Sequence, residues 1–343
     1  WDGPIFIVGP SRSGTSLLRV VLSNHSRVWI TRETHYFDDL RRRLKSPGVA
    51  LGLGEREVCE DYFLQLGHRA YGADASTEES TISRSDLRQV AEELGCSGDA
   101  YFEAFCRIRA RANGKGIWGE KTPRHVFQID ELFRLAPQAR VVCLLRDPRA
   151  VVASYRDWHS YGGGEEDGEA EAFLHDQERA RRSFHVGIAA LLWRGAMRAS
   201  TVARERHGGN RVLLLRYEQL VEEPRRAVED LCTWLQLDFE EPMLDVPVVQ
   251  SSYLSHETGI SKEPLDRWRG KLSRREVAQT QSFAGRSMDD LGYEREPLAG
   301  AFPSVAWGWL TLPIAAGRAG LANRGRMGRV PGYVWRRLRV AVS

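Results

Sequence analysis

The sequence predicts an α/β protein: a parallel β-sheet of the phosphate-loop type, flanked by helices on both faces. Two observations carry this. Short, uniformly apolar runs at 4–8 (PIFIV), 140–145 (RVVCLL) and 211–215 (RVLLL) alternate with stretches of helical spacing, the pattern of strands buried on both faces. The first run leads straight into a glycine loop and then a helix.

The elements follow in order. Residues 4–8 form the first strand, 9–14 (GPSRSG) the loop, and 15–24 (TSLLRVVLSN) a helix ended by Asn24-His25-Ser26. Residues 28–30 (VWI) read as a second short strand running into Thr31-Arg32-Glu33-Thr34-His35. Residues 36–113 are mostly helical and polar, broken by Gly/Ser-rich loops near 46–54 and 72–85, and carry no obvious chemistry. Residues 116–118 are a third strand, ending in 119–123 (GEKTP), with a helix over 124–135. The strand at 140–145 leads into Arg146-Asp147-Pro148-Arg149 and a helix with Pro in its first turn, a favoured place. Residues 161–171 (YGGGEEDGEAE) read as an acidic surface loop and a candidate lid. A long helix over 172–207, the strand at 211–215 and a helix ending near 235 complete the alternation. There is no internal repeat. The chain divides into one domain, 1–296, and an appended tail, 297–343.

Composition bounds the function. Hydrophobic residues make up 42% and charged residues 28%, as in globular rather than disordered chains. No apolar run approaches the ~18–20 residues of a membrane span. No secretory leader is visible, and the opening at Trp1 leaves open what stood before it. The net charge of +3 is uneven: the tail holds seven Arg and no Asp, Glu or Lys, which leaves the body at −4. A body of that sign is not a nucleic-acid binder. The five cysteines are scattered without a CxxC pair, which predicts free or buried thiols in a reducing compartment. With no Cys/His cluster at ligand spacing, no metal is expected.

The loop Gly9-Pro-Ser-Arg-Ser-Gly14-Thr15-Ser16 has the Gly-x4-Gly spacing of a phosphate cradle, in which backbone N–H groups at a helix start hold an anion. Nucleotide triphosphatases place a Lys where this chain has Thr15. That Lys reaches the β/γ-phosphates, so its absence argues against ATP or GTP as phosphoryl donor. Arg12 supplies a cation inside the loop.

Three motifs give a resemblance. Arg12-Ser13-Gly14-Thr15-Ser16-Leu17-Leu18 looks like the 5′-phosphosulfate loop of sulfotransferases that use 3′-phosphoadenosine 5′-phosphosulfate (PAPS). The strand before Arg146-Asp147-Pro148-Arg149, with Ser154 eight residues after Arg146, resembles the family's 3′-phosphate site. Tyr217-Glu218-Gln219-Leu220 is similar to its strand-end Tyr-Glu-x-Leu. The three stand in family order, and a looser match runs to about 295. The resemblance implies the sulfotransferase fold and PAPS as donor, with adenosine 3′,5′-bisphosphate as product. Elementary chemistry agrees: PAPS carries two separated anionic groups and needs two anion sites, at the loop and at Arg146. Both lie where ligands bind α/β sheets.

Sulfuryl transfer needs a base for the acceptor hydroxyl and cations for the leaving oxygen. Residues 31–37 resemble the acidic segment of the Golgi-type branch, which includes the tyrosylprotein and heparan sulfotransferases and uses a Glu as base. Glu33 is the candidate here and His35 its local competitor. Lys121 matches the Lys of the family's Lys-[Thr/Asp/Ser]-Pro segment and would act with Arg12 on the leaving oxygen or sulfonate. Glu120 beside it reads as an orienting ion-pair partner. Residues 261–271, with Lys262, Arg267 and Trp268, resemble the late loop that closes over the nucleotide, although their spacing departs from the longer family versions. The Golgi-type luminal disulfide has no counterpart here, which favours a cytoplasmic, bacterial-type member.

The expected function is transfer of a sulfuryl group from PAPS to a hydroxyl of a sugar, a lipid-linked or secondary metabolite, or a tyrosine. The competing readings are a kinase-like phosphotransferase and a non-catalytic nucleotide-binding protein of the same fold. The tail interleaves Arg with Trp307, Trp309, Tyr333 and Trp335. It admits three roles: peripheral membrane contact, packing of 302–316 on the body, or docking of an anionic acceptor or a partner subunit.

Overall fold

The computed structural model describes residues 1–67, 82–157, 178, 181, 183–250, 253–262 and 264–322. Five parallel strands form the central sheet: β1 (Ile5–Val8), β2 (Val28–Thr31), β3 (Ile117–Lys121), β4 (Arg140–Leu145) and β5 (Val212–Arg216). Their spatial order is β2-β3-β1-β4-β5. From β1 the chain runs outward to one side, returns, and then crosses to the other. The carboxyl end of β1 is therefore the topological switch point, where α/β sheets bind ligands.

The uniform apolarity of the strands follows from burial on both faces. Phe6 and Val8 of β1, with Trp118, Val141, Cys143 and Leu145, join one core layer. Ile5 and Ile7, with Ile117, Val142 and Leu144, join the other. The second layer is closed by Leu18, Val21 and Leu22 of α1 (Thr15–Ser23) and by Val228, Leu231 and Leu235 of a helix at Pro224–Leu235. The first is closed by α2 (Tyr36–Asp39), α3 (Leu53–Gly67), α4 (Arg84–Glu93) and α5 (Gly98–Ala112), through Tyr36, Phe63, Leu87 and Phe102. All five cysteines are buried and free.

Several expectations change. The helix predicted over 124–135 is a 3₁₀ turn at Pro123–Gln128 followed by α6 (Ile129–Leu135). His125 is drawn into the core there, with its ring edge-on to Phe37. The helix predicted over 172–207 is described as α8 (Val186–His207), following α7 (Pro148–Asp157). It starts at His185, whose ring accepts from the Gly187 N–H at 3.1 Å. Most of that prediction before residue 183, the acidic loop at 161–171 and the tail beyond 322 lie outside the described residues. After β5 come α9 (Tyr217–Glu222) and α10 (Pro224–Leu235), then an antiparallel pair, β6 (Pro247–Gln250) and β7 (Tyr253–Thr258). The chain continues through α11 (Arg267–Lys271), α12 (Arg274–Ala284), α13 (Arg286–Asp290) and α14 (Phe302–Ala322). α14 is continuous through Pro313.

Candidate active site

The glycine loop joins β1 to α1. Gly9 N–H donates to the Pro123 carbonyl at 3.1 Å, and Ser13 Oγ–H donates to the Pro10 carbonyl at 2.6 Å. Gly14 is at φ +92°, and a Cβ there would lie 2.3 Å from Tyr217 Cδ2. Glycine is required on both counts. Gly14 caps α1 without a side-chain bond. The first-turn amides of α1, which have no intrahelical acceptor, thus form a positive pole for an anion. Ser13 and Thr15 are buried in this turn.

On the β4 side, Arg146 is fixed from four directions. Its guanidinium donates to the carbonyls of Arg12 and Pro264, each at 3.0 Å, and lies 4.3 Å over the Tyr217 ring. Its own carbonyl accepts from Trp193 Nε1 at 2.8 Å. Among the described residues, buried Arg146 Nε has no hydrogen-bond partner, a cost that an arriving anion would relieve. Arg12 Nε donates to Ser154 Oγ at 3.1 Å, so loop, Arg146 and Ser154 form one cluster. Tyr217 is nearly fully buried and acts as the shelf under Gly14 and Arg146. Arg149 is buried against Asp147 and stacks on Trp268 at 4.2 Å.

On the β3 side, Lys121 ends its strand beside Ile7 of β1. Its ammonium donates to Glu33 Oε1 at 2.7 Å and to Ser16 Oγ at 3.3 Å. The other Glu33 oxygen lies 3.3 Å from His35 Nε2. Burial alone would raise the Glu33 pKa, but Lys121 and His35 outweigh it and hold the carboxyl at about 2. Burial pushes His35 below the usual histidine value, and Glu33 opposes this only in part. Ser16, Lys121, Glu33 and His35 therefore form a continuous polar line from the loop outward.

Glu120 does not pair with Lys121. Successive strand residues point to opposite faces. Lys121 faces α1 with Ile117 and Ile7, whereas Glu120 faces the other layer with Trp118 and Phe6. There Glu120 is fully buried. Its Oε1 accepts from Thr34 N–H at 3.0 Å, from Thr34 Oγ at 2.8 Å and from the Thr122 hydroxyl. Its Oε2 lies 3.2 Å from His125 Nδ1. Burial raises its pKa, but His125 and these donors together hold it below the ordinary carboxylate value. Tyr62 of α3 also grips this segment, donating to the Thr34 carbonyl at 2.5 Å. Sequence reasoning missed Thr34, Thr122, His125 and Tyr62. The period-2 alternation of β3 was the available clue to where Glu120 points.

The late loop reaches the site through Pro264, on which Arg146 is tied. Trp268 is buried, Arg267 half-buried and the Lys262 side chain exposed. Among the described residues, no group of three or more His, Cys, Asp or Glu side chains could hold a metal ion.

Comparison with known proteins is consistent with this geometry. The family described as the sulfotransferase family matches residues 4–241. The nodulation protein NoeE of Sinorhizobium fredii (strain NBRC 101917 / NGR234) is 24% identical over 301 residues, covering 84% of this chain and 66% of that protein. The chain thus spans just under two thirds of that relative. Among solved structures, the sulfotransferase domain of the curacin biosynthetic pathway superposes with a TM-score of 0.53 at 20% identity, covering 86% of this chain and 99% of that one. The sulfotransferase domain of the Synechococcus PCC 7002 olefin synthase gives 0.54 at 18% identity, covering 86% and 98%. At these identities the two structures speak for a shared fold.

Proposed function

The chain belongs to the sulfotransferase family, and we propose that its sulfuryl donor is PAPS and its acceptor a hydroxyl, with Glu33 as base. The enzyme transfers a sulfuryl group; the donor, the acceptor class and the residue roles are our reading. The observation that carries it is the placement of Lys121, bonded at once to Ser16 in the first turn of α1 and to Glu33. A base and a cation are thereby held together at the carboxyl end of β1.

The residues fit the donor. An uncapped α1 N-terminus suits the 5′ anionic end, and the unpartnered Arg146 Nε with Ser154 suits the 3′-phosphate. Gly14 to Ser16 would line the first site. Tyr217 would support both, and Lys262 and Arg267 would close over the nucleotide. PAPS, when bound, supplies an already activated sulfuryl group, so no metal is called for.

Glu33 takes the proton of the acceptor hydroxyl as its oxygen bonds to sulfur. Lys121 and Arg12 supply positive charge at the rim of the loop, where the leaving oxygen gains its negative charge. A carboxylate held at about 2 is a weak base. An anion in the loop draws Lys121 away and adds negative charge nearby, and both changes raise the Glu33 pKa towards a useful range. The pair is thus quiescent until the donor site is filled. We read residues 1–296 as the catalytic unit. We place the reaction in the cytoplasm, which the five free cysteines suit. The acceptor is a sugar, a lipid-linked or secondary metabolite, or a tyrosine.

Two measurements test this. Adenosine 3′,5′-bisphosphate should raise the melting temperature far more than ADP or adenosine 5′-monophosphate, and labelled PAPS should pass its label to one of these hydroxyl classes. Stronger stabilisation by ADP would replace the reading with a kinase-like one. Donor binding without turnover on any hydroxyl would make the chain a nucleotide-binding protein.

A further inference from the structure

Helix α14 is apolar on both sides. One stripe seats it on the body. Gly308 is buried against Gln279, whose Nε2 donates to the Ser304 carbonyl at 2.8 Å. The Trp309 ring lies 4.3 Å from that of Phe283, and Thr311 Oγ is 3.2 Å from His185 Nε2. The opposite stripe carries Trp307, Leu310, Ile314 and Leu321, between 64% and 73% exposed, and Phe302 stands exposed at the helix start. Arg318 is the single charged residue of this helix. A surface helix of a globular protein turns polar residues to solvent. This one turns out large apolar ones, and such a patch marks an interaction site.

The charge around it selects the occupant. From 297 to the end there are seven Arg and no acid, six of them following the helix within 324–339. A second copy of the chain, paired through this face, would bring two Arg-rich segments together with no acid in either to answer them. An anionic lipid surface answers both features at once: headgroups for the Arg residues and acyl chains for the outward stripe. Among the described residues no helix is long and apolar enough to cross a membrane, so the geometry is that of a helix lying in the interface.

We propose that α14 and the Arg-rich segment after it dock the enzyme on an anionic membrane surface, with the outward stripe seated at the headgroup boundary. The Trp307 indole suits that depth. Each Arg near such a surface adds to the attraction, and salt weakens it. The proposal stands independently of the donor and acceptor reading.

The test uses the full chain with phosphatidylcholine vesicles, with and without phosphatidylglycerol. Wild type should float with the anionic vesicles, less so in high salt, and poorly with phosphatidylcholine alone. Leu310→Glu/Ile314→Glu should weaken binding by about tenfold or more. Its melting temperature and its affinity for adenosine 3′,5′-bisphosphate should stay those of wild type. Brominated lipids should quench wild-type fluorescence more than that of Trp307→Phe. Failure of wild type to bind anionic vesicles, undiminished binding by the double variant, or equal quenching of the two proteins would each overturn the proposal. So would a concentration-dependent dimer that the double variant abolishes, which would make a second copy the occupant.

Discussion

Replacing Lys121 by Met should reveal Glu33 as a titrating base. In the protein as described, Lys121 at 2.7 Å and His35 at 3.3 Å outweigh burial and hold Glu33 at about 2. The difference from an ordinary glutamate corresponds to roughly 3 kcal/mol. The Glu33 side chain is 31% exposed, so solvent screening takes back part of this. Lys121 is the largest of the cationic influences, ahead of His35 and Arg124. Without it, burial is opposed only by His35, itself pushed towards the neutral form by burial, and by Arg124, and the carboxyl should rise to or above its ordinary value of about 4.3.

The pH dependence of kcat/KM reads the free enzyme's base. Only ionised Glu33 accepts a proton, so raising its pKa removes activity on the acid side. Wild type should be flat between about pH 5 and 8, whereas Lys121→Met should show its acid limb displaced to higher pH, with a midpoint at or above about 4.3. Its plateau should also fall by roughly 10²–10³, the usual cost of losing one group that stabilises developing negative charge. A plateau within about threefold of wild type, or an acid limb no different from that of wild type, would refute the reasoning.

Other outcomes follow from the same geometry. Glu33→Gln should lower kcat by roughly 10²–10⁴ with little change in affinity for adenosine 3′,5′-bisphosphate; if instead His35→Ala abolished activity while Glu33→Gln did not, the base would be His35. Arg146→Ala should weaken adenosine 3′,5′-bisphosphate by about tenfold or more relative to adenosine 5′-monophosphate in calorimetric titrations, with Ser154→Ala a smaller effect in the same sense. Equal loss for both nucleotides would make Arg146 structural. Glu120→Ala should cost about 3–5 kcal/mol in urea unfolding, because it removes the buried acceptor that His125, the Thr34 amide and two threonine hydroxyls share. Glu33 and Glu120 are both held below the ordinary carboxylate value. Their contribution to stability should be complete above about pH 5 and fall away as pH drops through their folded-state values.

Much of the fold was legible because the strands admit no compromise. Buried on both faces, β1 and β4 are apolar at nearly every position, and apolar runs between helices have few other readings. The glycine loop was legible for a local reason, since Gly14 sits at φ +92°, a backbone conformation that favours glycine. The shape of 123–135 was not. Helical spacing continues through it, and only a tertiary contact, His125 turned inward to Glu120 and Phe37, makes its first half a 3₁₀ turn. Helix α14 was illegible for the opposite reason: Pro313 reads locally as a break, yet the helix continues through it, seated on the body through Gly308 and Trp309.

The site turns on the same alternation. Residues 120 and 121 are adjacent in sequence and share no task. Lys121 faces α1 and meets the loop through Ser16; Glu120 faces the other layer and grips Thr34, one residue beyond Glu33. A single strand end thus sets both the cation and the backbone of the segment that carries Glu33, the proposed base. Moving β3 by one residue would exchange the two and destroy both arrangements. The register is pinned by Gly119, where a Cβ would lie 2.3 Å from the Ile5 carbonyl oxygen. Gly119→Ala should therefore disturb the Glu33–Lys121 pair from a distance. Its activity should fall together with the flat acid side of its pH profile, in the direction expected of Lys121→Met, while the donor cluster at Arg146, anchored on β4, keeps its affinity for adenosine 3′,5′-bisphosphate. Loss of donor affinity equal to the loss of activity would mean that Gly119 supports the sheet as a whole and not the register of the pair.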